Sequence, residues 1–363
     1  MRRWLLVAPL WLALSATATA QEAPAAPADG SPKVDVAASE AAMRIFRTTR
    51  EGAAMDQAAA AAVLAGLTET PDDIDARYRL LGYYKDKLNA KVFAARREQI
   101  LWFVNHRPDD PILATVWVDV TMPLERETYE KAMQAFSEKI KEPPKNARIL
   151  GNASRFAMRK DRDAVTDLLE RAREIEPQNP EWARKLAGVY QYRAFTQGHP
   201  MFHEQAYRGW LDVHDLVDGE ERLRLLPKIA VSALNAGLAD EARRWAQASL
   251  DSVEALKARR LHGDAVNVGH TVLGRLAFAD GDVDAAIAHL RASAKTPGSL
   301  QLNTFGPNLK LAEQISQAGH RDVVIEYLQA CAEFWVGGRD RIEEWVGVLR
   351  EGDTPFFGNN LKI

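Results

Sequence analysis

The sequence has a single cysteine, Cys331, and this scarcity limits how the fold can be stabilised. One cysteine cannot form an internal disulfide, so stability has to come from a packed hydrophobic core. Cys331 follows Tyr327 and Leu328 at a position where a helical hairpin places a small packed residue. A buried free thiol behaves as a small apolar side chain, so we predict a structural cysteine rather than a reactive one.

An excess of charge of one sign is also missing. The chain has 47 Lys and Arg against 50 Asp and Glu, a formal net charge of −3. Acidic and basic residues are interspersed along the sequence and form no blocks. Binding to nucleic acid would require a basic stripe, so we expect no nucleic-acid partner.

Long apolar runs are lacking as well. The run from Trp4 to Leu14 is too short for a transmembrane helix, which needs about 20 residues. It follows two arginines and precedes Ala18-Thr19-Ala20, a pattern typical of a cleavable export signal. We therefore predict a signal peptide over 1–20, a flexible Ala/Pro-rich linker over 21–39, no integral membrane segment, and export, in the style of bacterial periplasmic proteins.

Recognised catalytic motifs are absent: the sequence has no G-x-S-x-G, no P-loop and no H-E-x-x-H. His199 and His203 have the i, i+4 spacing of two zinc ligands on one helix, but a proline separates them. His262, Asp264 and His270 form a similarly weak cluster. Surface histidines with ordinary partners are the favoured interpretation, so we predict no metal site and no cofactor.

What the sequence does contain is a helical-hairpin pattern that recurs about every 34 to 47 residues. In the clearest unit, Leu273 and Gly274 are followed by Ala286; in an earlier unit, Gly82 is followed by Ala94. We expect these small residues to lie where the two helices of one hairpin approach most closely. Such hairpins cannot bury their apolar faces alone, so they have to stack.

The stretch from about 72 to about 328 resembles tetratricopeptide repeats. The resemblance implies an all-α fold, a right-handed superhelix (solenoid) of stacked antiparallel helical hairpins over 40–350, with a loose C-terminal tail over 351–363. It further implies a scaffold that binds a protein or peptide in its concave groove. It implies the fold much more firmly than an activity.

In that geometry, residues of the first helix of each hairpin, close to the Leu-Gly pair, line the groove. The candidates are Arg79, Tyr83, Asp86, Ser154, Arg184, Gln191, Thr271, Arg275 and Phe278. Arginine and aromatic side chains suit extended peptides or acidic termini. The alternative is that these are ordinary exposed residues.

The segment over 296–307 is longer than a turn between repeats requires, and long loops in compact repeats are often functional. Leu302 and Phe305 are expected to fold back on the last hairpin. Asn303, Phe305 and Asn308 are the candidates for ligand contact if the loop instead binds a partner.

Two helix starts are also predicted. Ser39 is expected to cap the first helix, and Pro227 to lie in the first turn of a helix over 226–236, a position that tolerates proline.

A second class of function remains open, a helical toroid that acts on envelope carbohydrate. Seven of the nine tryptophans lie after residue 20, and aromatic rings stack on sugars. However, Trp182, Trp245 and Trp335 fall beside packing positions at helical spacing, which favours a role in the core.

Overall fold

The computed structural model describes residues 36–142, 146–158 and 160–361. These residues form eighteen α-helices joined by turns and short 3₁₀ segments, and contain no β-strand. The all-α prediction is confirmed. The predicted signal peptide and most of the predicted linker lie outside the described residues. None of the described helices combines the length and the hydropathy that crossing a membrane requires.

The chain divides into two compact units, with the boundary between Glu176 and Pro177. The helices of the first unit are α1 (Val36–Ala53), α2 (Gln57–Gly66), α3 (Ile74–Tyr84), α4 (Ala90–His106), α5 (Arg126–Ile140), α6 (Ala147–Ala157) and α7 (Arg162–Ile175). Neighbours along the chain pack against each other from α3 to α7, and α1 packs on α3.

The second unit contains the remaining eleven helices. They are α8 (Pro180–Gln197), α9 (Pro200–Leu216), α10 (Gly219–Asn235), α11 (Ala239–Asp251), α12 (Val253–Lys257), α13 (Gly263–Ala279), α14 (Val283–Ser293), α15 (Leu300–Phe305), α16 (Lys310–Gln317), α17 (Arg321–Cys331) and α18 (Arg339–Arg350). The pairs α8/α9, α10/α11, α13/α14 and α16/α17 each pack together, and α13 also packs on α10 and on α16.

Local sequence explains where many of these helices begin. An Asp or Asn side chain accepts a hydrogen bond from the backbone N–H two or three residues later, which satisfies one of the unpaired donors of the first turn. These N-cap residues are Asp56, Asp73, Asn89, Asn146, Asp161, Asn179 and Asp282. Ser39 is not among them, because α1 already begins at Val36. The last four positions of the predicted linker are therefore helical.

The backbones of α1 and α3 are in direct contact through two glycines. A Cβ atom on Gly82 would lie 1.9 Å from the carbonyl oxygen of Thr49, and a Cβ atom on Gly52 would lie 1.9 Å from the carbonyl oxygen of Arg79. Neither position has room for a side chain. The prediction that Gly82 serves the contact with the second helix of its own hairpin is wrong, since the glycine faces α1.

Pro227 lies inside α10, eight positions after the helix begins at Gly219. The prediction that it starts a helix is wrong. An internal proline removes one backbone hydrogen bond and costs about 3 kcal/mol. In α10 the flanking core residues Leu225, Leu226 and Ile229 are buried, and the packing of this apolar side holds the helix together across the missing bond.

The C-terminal tail is packed, contrary to the prediction that it is loose. Phe357 is only 1% exposed and packs in the core of the second unit with Trp345. The backbone N–H of Leu309 donates to the carbonyl of Asn360 over 2.8 Å. The tail therefore belongs to the folded second unit as far as Leu361.

Candidate functional site

The first helices of the successive hairpins in the second unit, α8, α10 and α13, carry most of the candidates in that unit. Polar and charged side chains on these helices interact with one another. Lys228 on α10 interacts electrostatically with Arg184 on α8 and with Asp264 on α13. Asp264 and Arg275 are about three helical turns apart and so lie on the same side of α13. We call the surface defined by Arg184, Gln191, Lys228, Asp264 and Arg275 the cationic face.

Lys228 is the central cation of this face. Its ammonium group lies 4.7 Å from the centre of the Trp210 ring, and it forms no ion pair with any described residue. The side chain is exposed to water, yet the surrounding protein desolvates the ammonium group and lowers its pKa, and Arg184 lowers the pKa further.

The α8 part of the face is held by specific contacts. Arg184 forms an ion pair with Glu221 of α10. The indole N–H of Trp210, on α9, donates to the side-chain oxygen of Gln191 over 3.1 Å. Gln191 thus orients the ring over which Lys228 lies. Arg184 and Gln191 are half-buried at the positions expected from the sequence, but both are engaged within the protein.

Arg275, unlike Arg184, has no hydrogen-bond or ion-pair partner in the described part of the chain. It is half-buried on α13, and desolvation lowers the pKa of its guanidinium group. A guanidinium group remains charged at any physiological pH, so the group cannot escape this cost by losing its proton. A desolvated, unpaired cation is unfavourable unless an anion binds to it.

Two candidates, Ser154 and Thr271, do not offer their side chains to solvent. Ser154 is buried and donates to the carbonyl of Gly151 over 2.7 Å. Thr271 is buried and donates to the carbonyl of Asn267 over 2.8 Å. The expectation that they line an open groove is not met, because a short hydroxyl side chain lies below the level of its longer neighbours and bonds to its own helix.

The candidates of the first unit are not gathered into one polar site. Arg79 lies beside α1, with its Nε 3.6 Å from a carboxylate oxygen of Glu51. The ring of Tyr83 lies under the ammonium group of Lys87, 3.7 Å from its centre, and packs on the apolar cluster around Leu80. Asp86 is exposed.

The remaining candidates serve packing or helix ends. Phe278 is half-buried against the core of the second unit. With its amide oriented to donate, Asn303 reaches the carbonyls of Ser299 at 3.0 Å and Phe334 at 3.2 Å. The side-chain oxygen of Asn308 accepts from the N–H of Lys310 over 2.9 Å.

The fold-back of the 296–307 segment is confirmed in part. The segment contains the short helix α15, and Leu302 on that helix is 4% exposed in the core of the second unit. Phe305, in contrast, remains 40% exposed.

Structural contacts are made by His199 and by Trp182, Trp245 and Trp335. His199 accepts from the N–H of Met201 and caps α9, so it lies before the helix that carries His203. Within the described residues, no group of three or more His, Cys, Asp or Glu side chains is arranged to hold a metal ion. Trp182 and Trp335 are buried, and Trp245 donates to Glu241 over 3.1 Å.

Lys228 and Trp210 were not among the site residues predicted from the sequence. Lys228 was missed because Pro227 was predicted to lie at the start of a helix. That prediction places Lys228 at a helix end. In the structure Lys228 lies in the middle of α10, facing α8 and α13. The signal that could have found it is the apolar spacing before the proline, where Leu223 and Leu226 already follow a helical period.

Neither the protein-family models nor the curated proteins compared with this sequence include a match.

Proposed function

We propose that this protein is a non-enzymatic scaffold of the tetratricopeptide-repeat type, exported to the bacterial periplasm, that binds a protein or peptide segment. The stacked helix pairs of the second unit support this proposal, because α10, α13 and α16, the first helices of three successive pairs, pack on one another in order. Repetition of that arrangement is how a solenoid is built. A surface formed by successive first helices is well suited to an extended ligand.

The observation that carries the proposal is Arg275, the desolvated guanidinium group without a described partner. A carboxylate bound there would accept two parallel hydrogen bonds from the guanidinium group. Lys228, on the same face, has a ring beneath it and forms no ion pair with a described residue. We therefore propose that the cationic face selects segments rich in Asp and Glu, or a free C-terminal carboxylate.

Two carboxylates of the protein itself reduce the number of cations that an acidic ligand can bind on this face. Glu221 neutralises Arg184, and Asp264 accepts a hydrogen bond from Ser299 over 2.6 Å while it attracts Lys228. The cations left to a ligand are thus Lys228 and Arg275. Because the surrounding protein desolvates both cationic groups, a ligand carboxylate gains more at this face than at a fully solvated lysine.

The experiment is peptide capture on the immobilised full chain, with a proteolytic digest of bacterial envelope proteins as the source and mass spectrometry as the readout. We compare wild type with the double variant Lys228→Glu/Arg275→Glu. The matched control is Arg341→Glu/Arg350→Glu, which makes the same change of charge at two exposed positions of α18.

Wild type and the control should retain peptides enriched in acidic residues, and the double variant should lose them. If wild type retains no peptides above an uncoated matrix, the binding function is wrong. Equal retention of the same peptides by wild type and the double variant would leave binding in place but would reject the cationic face.

A further inference from the structure

His270 on α13 and His289 on α14 form a contact that the cationic face does not use. Their Nδ1 atoms are 3.0 Å apart, and the ring centres are 5.3 Å apart. Two imidazole nitrogens at this distance form a hydrogen bond only if one carries a proton and the other presents its lone pair. The contact is therefore compatible with a neutral pair or with a pair that has gained one proton. It is incompatible with two imidazolium ions, which both carry N–H groups at Nδ1.

The surroundings of the pair disfavour positive charge. Both rings are half-buried. Burial lowers the pKa of His270, and His289 and Lys295 lower it further, while burial alone lowers the pKa of His289. Among the described residues, no carboxylate from α13, α14 or the adjoining α10, α11, α16 and α17 has a resolved effect on either ring. No counter-ion thus offsets protonation.

The two helices pack closely beside the pair. A Cβ atom on Gly274, one turn after His270, would lie 3.0 Å from the Cβ of His289 and 2.4 Å from a methyl carbon of Leu311. The space between α13 and α14 is therefore filled at this level. Two like charges at the Nδ1 atoms would break the contact between the rings, and with it a side-chain hydrogen bond that joins α13 to α14.

We propose that the His270–His289 pair is an acid-sensitive latch that holds α13 against α14 and opens when both rings are protonated. Because the pKa of each folded histidine is lowered, the latch contributes its full stability above the ordinary histidine pKa of about 6.5. That contribution is lost as the pH falls through the lowered values, since the open state binds protons more readily. The cationic face is affected in turn, because α13 carries Asp264 and Arg275.

The test is hydrogen exchange of the α13 and α14 backbone amides between about pH 8 and about pH 5, the window in which histidine changes charge. Rates are corrected for the intrinsic pH dependence of exchange. A local measurement is required because burial also lowers the pKa of His203 and His214 on α9. In wild type, the opening equilibrium constant of α13 and α14 should rise about three- to tenfold on acidification. This range corresponds to the free energy of one hydrogen bond.

His289→Gln and His270→Gln each remove one titrating ring and keep a side chain that can either donate or accept. In both variants the acid-induced opening should disappear, because a single imidazolium ion can donate to the amide oxygen. His320→Gln, at an exposed histidine before α17, is the matched control and should behave as wild type. Opening that does not change with pH in wild type, or that changes equally in wild type and both Gln variants, would overturn the latch.

Discussion

Asn360 and Phe305 are joined across 55 positions of the chain, because the side-chain amide of Asn360 donates to the carbonyl of Phe305 over 2.9 Å. The same amide nitrogen lies 3.1 Å from the carbonyl of Pro307. One residue of the C-terminal tail thus provides the donor for two carbonyls, one in the last residue of α15 and one in the segment that follows it. This relationship makes the tail a part of the second unit rather than an appendage to it.

Asn360→Ala should therefore lower the free energy of unfolding by about 1–3 kcal/mol, because the carbonyls of Phe305 and Pro307 lose their donor. Asn359→Ala is the matched control, since Asn359 is adjacent and exposed, and should change stability by less than about 0.5 kcal/mol. Urea denaturation followed by circular dichroism measures both. Equal midpoints for the two variants would contradict the role of Asn360.

Gly82→Ala should destabilise the first unit by at least about 1–3 kcal/mol, because the new methyl group meets the backbone oxygen of Thr49, which cannot rotate away. Gly347→Ala provides the opposite case. Gly347 lies inside α18, and apart from its own helix backbone no described atom lies within 4 Å of the position of a Cβ, so alanine should stabilise by about 0.5–1 kcal/mol. Thermal denaturation of the two variants compares them directly. Similar melting temperatures would refute the contact between α1 and α3.

The buried ion pair between Arg96 and Glu125 should be the most sensitive charged pair in the first unit. Their side chains are 3% and 2% exposed, and Arg96 also donates to the carbonyls of Trp117 and Asp119. Glu125→Gln leaves an unpaired buried cation and should cost about 3–5 kcal/mol. Glu130→Gln, which breaks the exposed pair with Arg126, should cost less than about 1 kcal/mol. Chemical denaturation distinguishes the two outcomes; equal losses would mean that burial does not govern the pair.

Arg275→Met should leave the free energy of unfolding unchanged or raise it by up to about 1 kcal/mol. Methionine keeps much of the apolar length of the side chain and removes a desolvated charge that has no described partner. A ligand-binding role predicts this pattern, since functional positions are often held at some cost in stability. A loss above about 1 kcal/mol in urea denaturation would show that Arg275 is a structural residue.

Cys331 should not react with thiol reagents while the protein is folded. The thiol is fully buried, and burial raises its pKa to about 12. The thiolate, which is the reactive form, is therefore scarce at mildly alkaline pH. Dithiobis-nitrobenzoate at about pH 8 should release one equivalent of chromophore in guanidinium chloride and almost none in buffer. Rapid reaction of the folded protein would be inconsistent with a structural role.

The helical class and the small buried residues could be predicted from local spacing, because a period of about 3.6 residues is a property of the sequence alone. Cys331 and Ala286 are examples, and both are buried. The direction in which a small residue faces could not be predicted. Gly82 marks a close approach, but the identity of the approaching helix depends on tertiary packing, and the helix is α1.

For the candidate site, too, the sequence predicted the side of the helix on which a residue lies but not the contacts of its side chain. Arg184, Gln191 and Arg275 were found from their distance to a repeat signature, since that distance fixes the side of a helix. The spacing does not predict how far a side chain reaches or which residue it contacts. Arg275 has no described partner whereas Arg184 has Glu221, and this difference decides which of the two is available to a ligand. It depends on residues remote in sequence.

The contact between α1 and α3 has a practical consequence for fragment design. A fragment that begins at Ile74 would retain the hairpin of α3 and α4 but would leave Gly82 facing water, together with the apolar surface that α1 covers. We expect such a fragment to associate or to be digested, whereas one that begins at or before Val36 keeps the first unit intact. The smallest useful expression fragment of the first unit must therefore include α1, because Gly82, more than forty positions after Val36, packs against that helix.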